Sequence, residues 1–254
     1  MANFGPTLKE WRTTRRMSQM DLAFSAGVSA RHLSFLETGR ARPSRGMVLR
    51  LCDELSVPNA GRNHLLTAAG MAPAYASRSP DAEELKPLKE AVTWMLDNHA
   101  PYPAMALNRH WQLDAMNGPA AMMLGATGLQ LGDNLIEALA NNEALRRSLD
   151  NLEEVERHTL ARLRTELSHF GRDAVIEKAV EGLQARVRKD ADDGVLPAVI
   201  PARYRLGDQV LSFFSTIAQF GTTGDLAMSE LKVELMFPAD DQTRATLLAL
   251  AGAA

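Results

Sequence analysis

The chain has 254 residues, of which 46% are hydrophobic and 23% are charged, a composition typical of a folded globular protein and unlike that of a disordered or collagen-like chain. Its formal net charge of −3 conceals an asymmetry, because residues 1–72 carry 10 basic and 5 acidic side chains whereas residues 73–254 carry 18 basic and 26 acidic ones. A basic head and an acidic body predict two modules with different partners, the head being suited to a polyanion.

The cysteine count and the length of the apolar runs indicate the cellular compartment of the protein. Cys52 is the only cysteine, so an intrachain disulfide and a cysteine-based metal cluster are excluded and a reducing environment fits best. The first residues lack the charged and apolar regions of a secretory signal peptide. No stretch approaches the ~18 uninterrupted apolar residues of a membrane span. These features predict a cytoplasmic protein that does not associate with a membrane.

Five short helices are predicted within residues 1–70. Serines stand immediately before the second, third and fourth of them, at Ser18, Ser29 and Ser44, where a side-chain oxygen can accept a hydrogen bond from the first turn. Gly27 lies between the second and third helices and can adopt the positive φ of a tight turn. The sequence therefore predicts an all-α head in which two short helices are held at a fixed angle.

Three short motifs give this head a family resemblance. Ser-Gln opens the second helix, Ala-Gly-Val-Ser fills the turn, and Leu-Glu-Thr-Gly ends the third helix. In combination they resemble the phage-repressor-like helix-turn-helix family, often called the XRE family. The resemblance implies that the partner is double-stranded DNA, that the third helix enters the major groove, and that the second helix rests on the DNA backbone.

The same pattern implies which side chains meet DNA. The start of the third helix would face the base edges, where Arg31 can offer a bidentate fork to guanine worth about 1–3 kcal/mol of discrimination. Ser18 and Gln19 match positions that present side-chain and backbone N–H groups to a phosphate. The predicted groove-facing residues are Ser29, Ala30, Arg31, His32 and Phe35, and the predicted phosphate-facing residues are Arg15, Ser18, Gln19, Arg40 and Arg42.

Each of these assignments has a simpler alternative. An exposed arginine such as Arg42 is usually only solvated, Phe35 can belong in part to the core instead of touching a thymine methyl group, and His32 can simply be exposed. Trp11 and Leu33, by contrast, fall on the apolar stripes of their helices and are predicted to be core residues.

A segment of mixed Gly, Pro and Ser follows the head. Residues 71–83 have no clear period and predict a linker between a DNA-binding domain at 1–70 and a second domain at 84–254. In the second domain the predicted helices cover 84–98, 118–123, 135–139, 143–170 and 173–188, and the predicted strands cover 104–108, 111–116, 202–206, 210–219 and 231–237. A hairpin, then helices, then three antiparallel strands is typical of an α+β PAS-like fold, in which a curved sheet and crossing helices enclose a small cavity.

Further motifs in the second domain carry a second resemblance. They are LKPL at 85–88, HAPYPA at 99–104 and NRHWQL at 108–113, followed by Asn117. Together they resemble the ligand-binding domain of MmyB-like transcription regulators. That resemblance implies a one-component regulator, in which a PAS-like sensor is joined to its own DNA-binding head. Some members of the family are associated with fatty-acid-like ligands.

Apolar side chains dominate the candidate pocket residues of the second domain. The predicted ligand-binding residues are Tyr102, Met105, Leu107, Trp111, Met122, Met123, Arg203, Phe213 and Phe214. Many apolar groups and few polar ones suit an apolar ligand with one polar end, and Tyr102, Arg109, Arg203 and Arg205 are the polar groups to test first. The alternative is that these methionines and aromatic residues belong to the core, as such stripes more often do.

The sequence lacks the common motifs of catalysis. The chain contains no GxGxxG, no Walker A sequence, no HExxH and no serine in a nucleophile elbow. Its six histidines have no ligand spacing, and His158 and His169 share a helix face without an evident carboxylate partner. The sequence therefore predicts neither an enzyme nor a protein that binds a metal or a cofactor.

Taken together, these patterns predict a DNA-binding transcription regulator that forms a homodimer on a pseudo-palindromic operator and responds to a small apolar ligand by a shift in population. One alternative is a ligand-independent regulator whose second domain serves only for dimerisation or for contact with RNA polymerase or another protein. Another is a head that docks on a protein in place of DNA.

Overall fold

The computed structural model describes residues 4–76, 78, 82–187, 200–220 and 225–252. The chain divides into two compact units. The first comprises residues 1–77, 165–173 and 224–226, and the second comprises residues 78–164, 174–223 and 227–254. The predicted fold class, a five-helix head and an α+β second domain, is confirmed.

The first unit contains the five predicted helices. They are α1 (Phe4–Thr14), α2 (Gln19–Ser25), α3 (Ala30–Glu37), α4 (Arg45–Glu54) and α5 (Asn59–Ala68). The side chains of Ser18, Ser29 and Ser44 each accept a hydrogen bond from the backbone N–H three residues later, as expected of N-caps. Helix α1 includes Pro6, which sits in the first turn, where the N–H that proline lacks has no partner within the helix.

The core of the first unit is continuous and apolar. Leucines from all five helices are buried in it, together with Trp11 and Cys52. Burial raises the pKa of the Cys52 thiol to about 12, so this side chain stays protonated and behaves as a small hydrophobic group.

The beginning of the predicted linker is bound to the first unit. Arg45 Nη1 donates to the carbonyl of Ala72 at 2.6 Å, and the side-chain amide of Asn63 both donates to the carbonyl of Tyr75 and accepts from the N–H of Ala74. Residues 71–76 are therefore held by specific hydrogen bonds, whereas the sequence predicts a tether there.

The second unit is built on a five-stranded antiparallel sheet. Its strands are β1 (Ala104–Leu107), β2 (Leu113–Met116), β3 (Ala202–Leu206), β4 (Gln209–Gln219) and β5 (Lys232–Pro238). The strand order is β2-β1-β5-β4-β3, so the predicted hairpin and the three predicted C-terminal strands join in one sheet. Strand β5 lies in the centre, paired with β1 on one side and β4 on the other.

The described residues after the head also form a series of α-helices. They are α6 (Lys86–Asp97), α7 (Gly118–Gly125), α8 (Leu135–Asn141), α9 (Glu143–Ser148), α10 (Leu152–Phe170), α11 (Ala174–Gln184), α12 (Leu226–Ser229) and α13 (Asp241–Gly252). A single 3-10 turn, Glu83–Leu85, precedes α6. Among the described residues, no helix has both the length and the apolar character needed to cross a membrane.

Two helical features differ from the prediction. The stretch predicted as one helix over 143–170 is divided into α9 and α10, because the buried side chain of Asn151 bonds to the carbonyl of Pro201 and the N–H of Arg203. Helix α13 lies in a segment for which the sequence predicts no element, and its first turn is fixed by a hydrogen bond from the N–H of Thr243 to Asp240.

A substitution at Gly5 tests the close packing of α1 against the end of α3. A Cβ atom at Gly5 would overlap the carbonyl oxygen of Glu37 and lie 2.8 Å from that of Leu36. We expect Gly5→Ala to lower the free energy of unfolding by about 1–3 kcal/mol, since backbone atoms cannot move aside as a flexible side chain would. The measurement is urea-induced unfolding.

The matched control is Gly46→Ala in the first turn of α4, where a Cβ atom would meet nothing within 4 Å. This substitution should be neutral or stabilising by about 0.4–1 kcal/mol. Equal effects of the two substitutions would contradict the packing of α1 on α3.

Candidate nucleic-acid interface and ligand cavity

The start of helix α3 presents most of the predicted groove-facing residues to solvent. Ser29, Ala30 and Arg31 are exposed, and His32 and Phe35 are half-buried. The opposite face of the helix is fully buried through its leucines. The helix is therefore anchored on one side and open on the other, as a helix that enters a groove must be.

Phe35 lies between two arginines. The guanidinium carbon of Arg31 is 5.4 Å from the centre of the Phe35 ring, and that of Arg40 is 6.0 Å from it. Cation–π attraction of this kind is worth about 0.5–1 kcal/mol at an exposed site. The structure thus brings three of the predicted DNA-binding residues together and gives Phe35 a role in orienting the two arginines, which neither sequence-based interpretation of this residue included.

Glu37 connects the three N-terminal helices. Its buried carboxylate accepts hydrogen bonds from Arg12 at 2.6 and 3.1 Å and from Gln19 Nε2 at 2.7 Å. The hydrogen bond to Glu37 raises the pKa of the Arg12 guanidinium. Gln19 is therefore held in place at the start of α2.

Sequence reasoning missed the pair of Arg12 and Glu37, although a signal was present. Each follows a buried leucine by four residues, Leu8 in α1 and Leu33 in α3, so each falls on the apolar stripe of its helix. A charged residue on a buried stripe is rarely tolerated without a partner.

Arg15 differs from the other predicted phosphate-facing arginines, because its guanidinium is bound to backbone carbonyls. Its guanidinium donates to the backbone carbonyls of Leu55, Ser168 and His169 at 2.9, 2.6 and 3.0 Å, all within the first unit. It also lies 5.2 Å from the centre of the Trp11 ring. Arg40 and Arg42, by contrast, are exposed. We therefore leave Arg15 out of the candidate interface.

The second unit contains a cavity of about 410 Å³, a volume within the usual range for small-molecule sites. Four of the predicted ligand-binding residues line it, namely Met105, Trp111, Phe213 and Phe214. Apolar side chains from α7, α8, α9 and α10 complete most of the wall.

The other five predicted ligand-binding residues, Tyr102, Leu107, Met122, Met123 and Arg203, are not among those that line this cavity. Leu107 is fully buried in the core, whereas Met122 is 66% exposed on α7. The Tyr102 ring packs edge-on against His99, with 5.8 Å between the ring centres. Residue type alone therefore does not separate a cavity wall from a core or a surface.

The arginines predicted to hold a polar end of the ligand form ion pairs with carboxylates of the protein. Arg203 Nε lies 3.4 Å from Asp150, which also pairs with Arg205, and Arg109 donates to Glu230 at 2.6 Å. Successive side chains of a strand point to opposite faces. Because Tyr204 lines the cavity, its neighbours on β3 point away from it.

One part of the cavity wall is polar. It includes Tyr204, Glu234, Thr159, His158 and Arg162. Burial raises the pKa of Tyr204, and the nearby negative charge of Glu234 raises it further. Burial and the positive charge of Arg162 lower the pKa of His158, and Glu234 acts in the opposite direction. The cavity therefore combines apolar walls with a group of interacting charges.

The ring of Trp111 makes a cation–π contact with Arg162, the arginine of this polar wall. The guanidinium carbon of Arg162 lies 4.9 Å from the centre of the Trp111 ring, and Lys232 Nζ lies 4.3 Å from the same ring. Lys232 also donates to the carbonyl of Arg109 at 3.0 Å. Sequence reasoning found Trp111 but missed Arg162, because nothing local to α10 marks it as a cavity residue. The carboxylate that acts on His158 comes from β5 and was likewise out of reach.

Within the described part of the chain, no cluster of three or more His, Cys, Asp or Glu side chains could hold a metal ion.

Two family models match the chain. The model of a helix-turn-helix domain matches residues 3–65, and the model of the MmyB-like transcription regulator ligand binding domain matches residues 88–250. Similar curated proteins include uncharacterized HTH-type transcriptional regulators of Mycobacterium bovis and of two strains of Mycobacterium tuberculosis. Each is 30% identical over 125 residues, which are 48% of this chain and 44% of the relative. The chain thus aligns with less than half the length of these relatives.

A solved structure, that of an RNA-binding light-oxygen-voltage receptor, aligns with 98% of this chain and 63% of its own length at 11% identity, with a TM-score of 0.26. A TM-score this low establishes no common fold, so nothing about this chain follows from it.

The titration of His158 tests the charge arrangement in the cavity. We expect its imidazole to titrate below 6.5, since burial and Arg162 disfavour the charged form. Arg162→Gln should raise the midpoint and Glu234→Gln should lower it, as followed by NMR. Because the pKa in the folded state is lowered, His158 should make the folded state less stable as the pH falls through 6.5 toward the folded midpoint.

The control for this titration is Arg164→Gln, which removes a positive charge from an exposed position of the same helix. It should leave the His158 midpoint almost unchanged. Shifts of the same sign for Arg162→Gln and Glu234→Gln would contradict the geometry.

Proposed function

Since the chain belongs to the MmyB-like transcription regulators, whose ligand-binding domain matches residues 88–250, we propose that it is a cytoplasmic one-component regulator. Its first unit binds double-stranded DNA at specific sequences. Its second unit holds a small amphipathic ligand that changes this binding.

A single observation carries the proposal for DNA. The Glu37 carboxylate holds Arg12 of α1 and Gln19 of α2 against the end of α3, while Arg31 stays exposed at the other end of α3. The buried contacts set the angle between the helices and leave an arginine fork free to read a base edge. In this proposal α3 enters the major groove, and Arg31 binds O6 and N7 of a guanine.

The remaining contacts of the proposed interface orient the head. Ser29 and Ala30 face the groove beside Arg31, with His32 and Phe35 on its flank. Ser18 and Gln19 face one phosphate, and the exposed Arg40 and Arg42 add positive charge. Phosphate contacts set register and orientation without reading sequence.

A homodimer supplies the affinity that one small head lacks. Two heads about 34 Å apart would contact successive turns of a pseudo-palindromic operator. The excess of acidic side chains in residues 73–254 disfavours contact of the second unit with phosphates. Binding should therefore weaken steeply with salt through the head alone.

The cavity suits a fatty-acid-like ligand. Its apolar walls, with Met105 and Phe213 among them, would surround an alkyl chain, and the polar wall offers Arg162, supported by Trp111, to a carboxylate. Met side chains adapt to variable acyl shapes. Glu234 in the same wall would disfavour a second negative charge, so the ligand in this proposal has a single anionic end.

Substitutions in the head test the DNA interface. Genome-wide mapping of bound DNA first supplies the operator and its half-site spacing. Arg31→Ala should then cost about 1–3 kcal/mol at a guanine of the site and relax specificity there, whereas Gln19→Ala should weaken binding to all sequences similarly. Fluorescence anisotropy with operator and base-substituted duplexes measures both effects.

Arg164→Ala, an exposed arginine outside the proposed interface, is the charge-matched control and should leave operator affinity within about twofold. If neither Arg31→Ala nor Gln19→Ala changes DNA affinity, the head does not use this face. If the purified protein binds no DNA at all, a head that docks on protein becomes the better account.

Ligand removal tests the cavity. Native mass spectrometry should show a co-purified amphipathic molecule, and adding dodecanoate to the delipidated protein should raise its melting temperature. Arg162→Gln should weaken dodecanoate binding about tenfold or more, because a hydrogen bond to a charged group is lost. Dodecanol, which has no carboxylate, should bind wild type and variant alike.

A protein that is purified without a bound small molecule, and whose melting temperature does not change with dodecanoate, would contradict the sensor proposal. It would favour a ligand-independent regulator whose second unit serves for dimerisation or for contact with RNA polymerase or another protein.

A further inference from the structure

Helix α10 is shared by the two compact units. It is one continuous helix, Leu152–Phe170, whose residues up to position 164 belong to the second unit and whose residues from position 165 belong to the first. Val155, His158, Thr159 and Arg162 line the cavity. His158 and Thr159 are adjacent, and each lies three or four residues from Val155 and from Arg162, so the four residues form one stripe along the helix.

The C-terminal end of α10 is bound by Arg15. Nη1 and Nη2 of this arginine donate to the carbonyls of Ser168 and His169 at 2.6 and 3.0 Å. The last four carbonyls of an α-helix lack partners within the helix and carry partial negative charge. A guanidinium therefore satisfies them well, and the same side chain donates to Leu55 at 2.9 Å.

Gly171 fits the end of the helix against α1. Its φ is +84°, and a Cβ atom there would lie 2.5 Å from Cζ2 of Trp11. Only glycine is compatible with both this backbone conformation and this close approach. The chain is thus seated against two residues of the first unit, Trp11 and Arg15, by packing and by hydrogen bonds. We call this contact the α10 seat.

The α10 seat lies one helical turn from the network that holds the candidate DNA-binding helix. Arg12 precedes Arg15 by three residues and donates to Glu37 at the end of α3 at 2.6 Å. Glu37 in turn holds Gln19. At the other end, Arg162 in the cavity wall is about 9 Å along the helix axis from Ser168. Arg162 and Ser168 belong to one continuous helix, so a displacement of the first can be transmitted to the second.

We propose that the α10 seat is the element through which occupancy of the cavity changes DNA affinity. The inference rests on the proposed function, and it names how that function is regulated. A ligand that fills the cavity displaces the stripe of α10 that lines it, and the rigid helix alters the contacts of its last carbonyls with Arg15. The first unit then exists in two arrangements, which differ in their contacts at the α10 seat and in their affinity for DNA. The ligand and DNA both shift the equilibrium between these two arrangements.

Two substitutions, one on each side of the α10 seat, test this inference. Arg15→Gln removes the guanidinium, and Gly171→Ala inserts a methyl group against Trp11 without changing any charge. In the wild-type protein, saturating dodecanoate should change the operator Kd by about fivefold or more. In each variant the operator Kd with dodecanoate and the operator Kd without it should agree within about twofold. Arg164→Gln should keep the wild-type ratio of these two Kd values. Near-ultraviolet circular dichroism and thermal unfolding verify that the variants fold.

Hydrogen exchange supplies a measurement that needs no ligand. Coupling between two sites is reciprocal, so operator DNA should change the exchange of backbone amides in residues 155–163 of the wild-type protein. In Arg15→Gln and Gly171→Ala, DNA should leave these amides unchanged.

The outcomes separate the two levels of the hypothesis. A wild-type protein that binds no operator contradicts the proposed function and the inference together. A wild-type protein that binds the operator but shows no exchange change in 155–163 overturns the inference alone. The same holds if both variants keep the wild-type response to dodecanoate.

Discussion

The carboxylate of Glu37 joins three helices at one buried point, and the geometry of the first unit depends on it. Leucines in the core supply more free energy, about 1.5–3 kcal/mol for each side chain that is fully buried, but apolar contact is less directional than a hydrogen bond and does not tie one helix to a single residue of another. The hydrogen bonds from Arg12 and Gln19 to Glu37 do. Removing one partner of such a buried pair typically costs about 3–5 kcal/mol, because the other charge is left uncompensated. The orientation of α3, the helix proposed to read DNA, therefore depends on a buried pair outside the proposed interface.

One face of the sheet in the second unit packs in an apolar cluster, and the other face lines the cavity. Ala104 and Ala106 of β1 and Val233 of β5 pack with α6 in one apolar cluster. Met105 and Met236, which alternate with them along the same strands, line the cavity. Alternation along the strands thus places one side of the sheet against the core and the other against the cavity.

Much of the fold could be predicted from the sequence, and the matches to two family models confirm the resemblances that its motifs carry. The helices of the head follow from serine caps and apolar spacing, which act within a few residues. The site was predicted less completely. Trp111 and Met105 were found, but Arg162 and Glu234 were not, and Leu107 and Met122 look like cavity residues by type alone. Asn151 also escaped prediction as a helix breaker, since its partners, Pro201 and Arg203, lie about 50 residues further along the chain.

The arginines of the head show where the two sources of information divide. The sequence determined that Arg12, Arg15 and Arg31 belong to a basic head of short helices, and the family pattern assigned Arg31 to the groove and Arg15 to a phosphate. The tertiary structure decided that Arg12 is buried against Glu37, that Arg15 bonds to carbonyls more than 150 positions away, and that Arg31 stays exposed beside Phe35. Helix caps and apolar periods are local and can be read from the chain. The partner of a charge is chosen by which distant segments the fold brings within about 3 Å, and that choice exists only once the chain has folded.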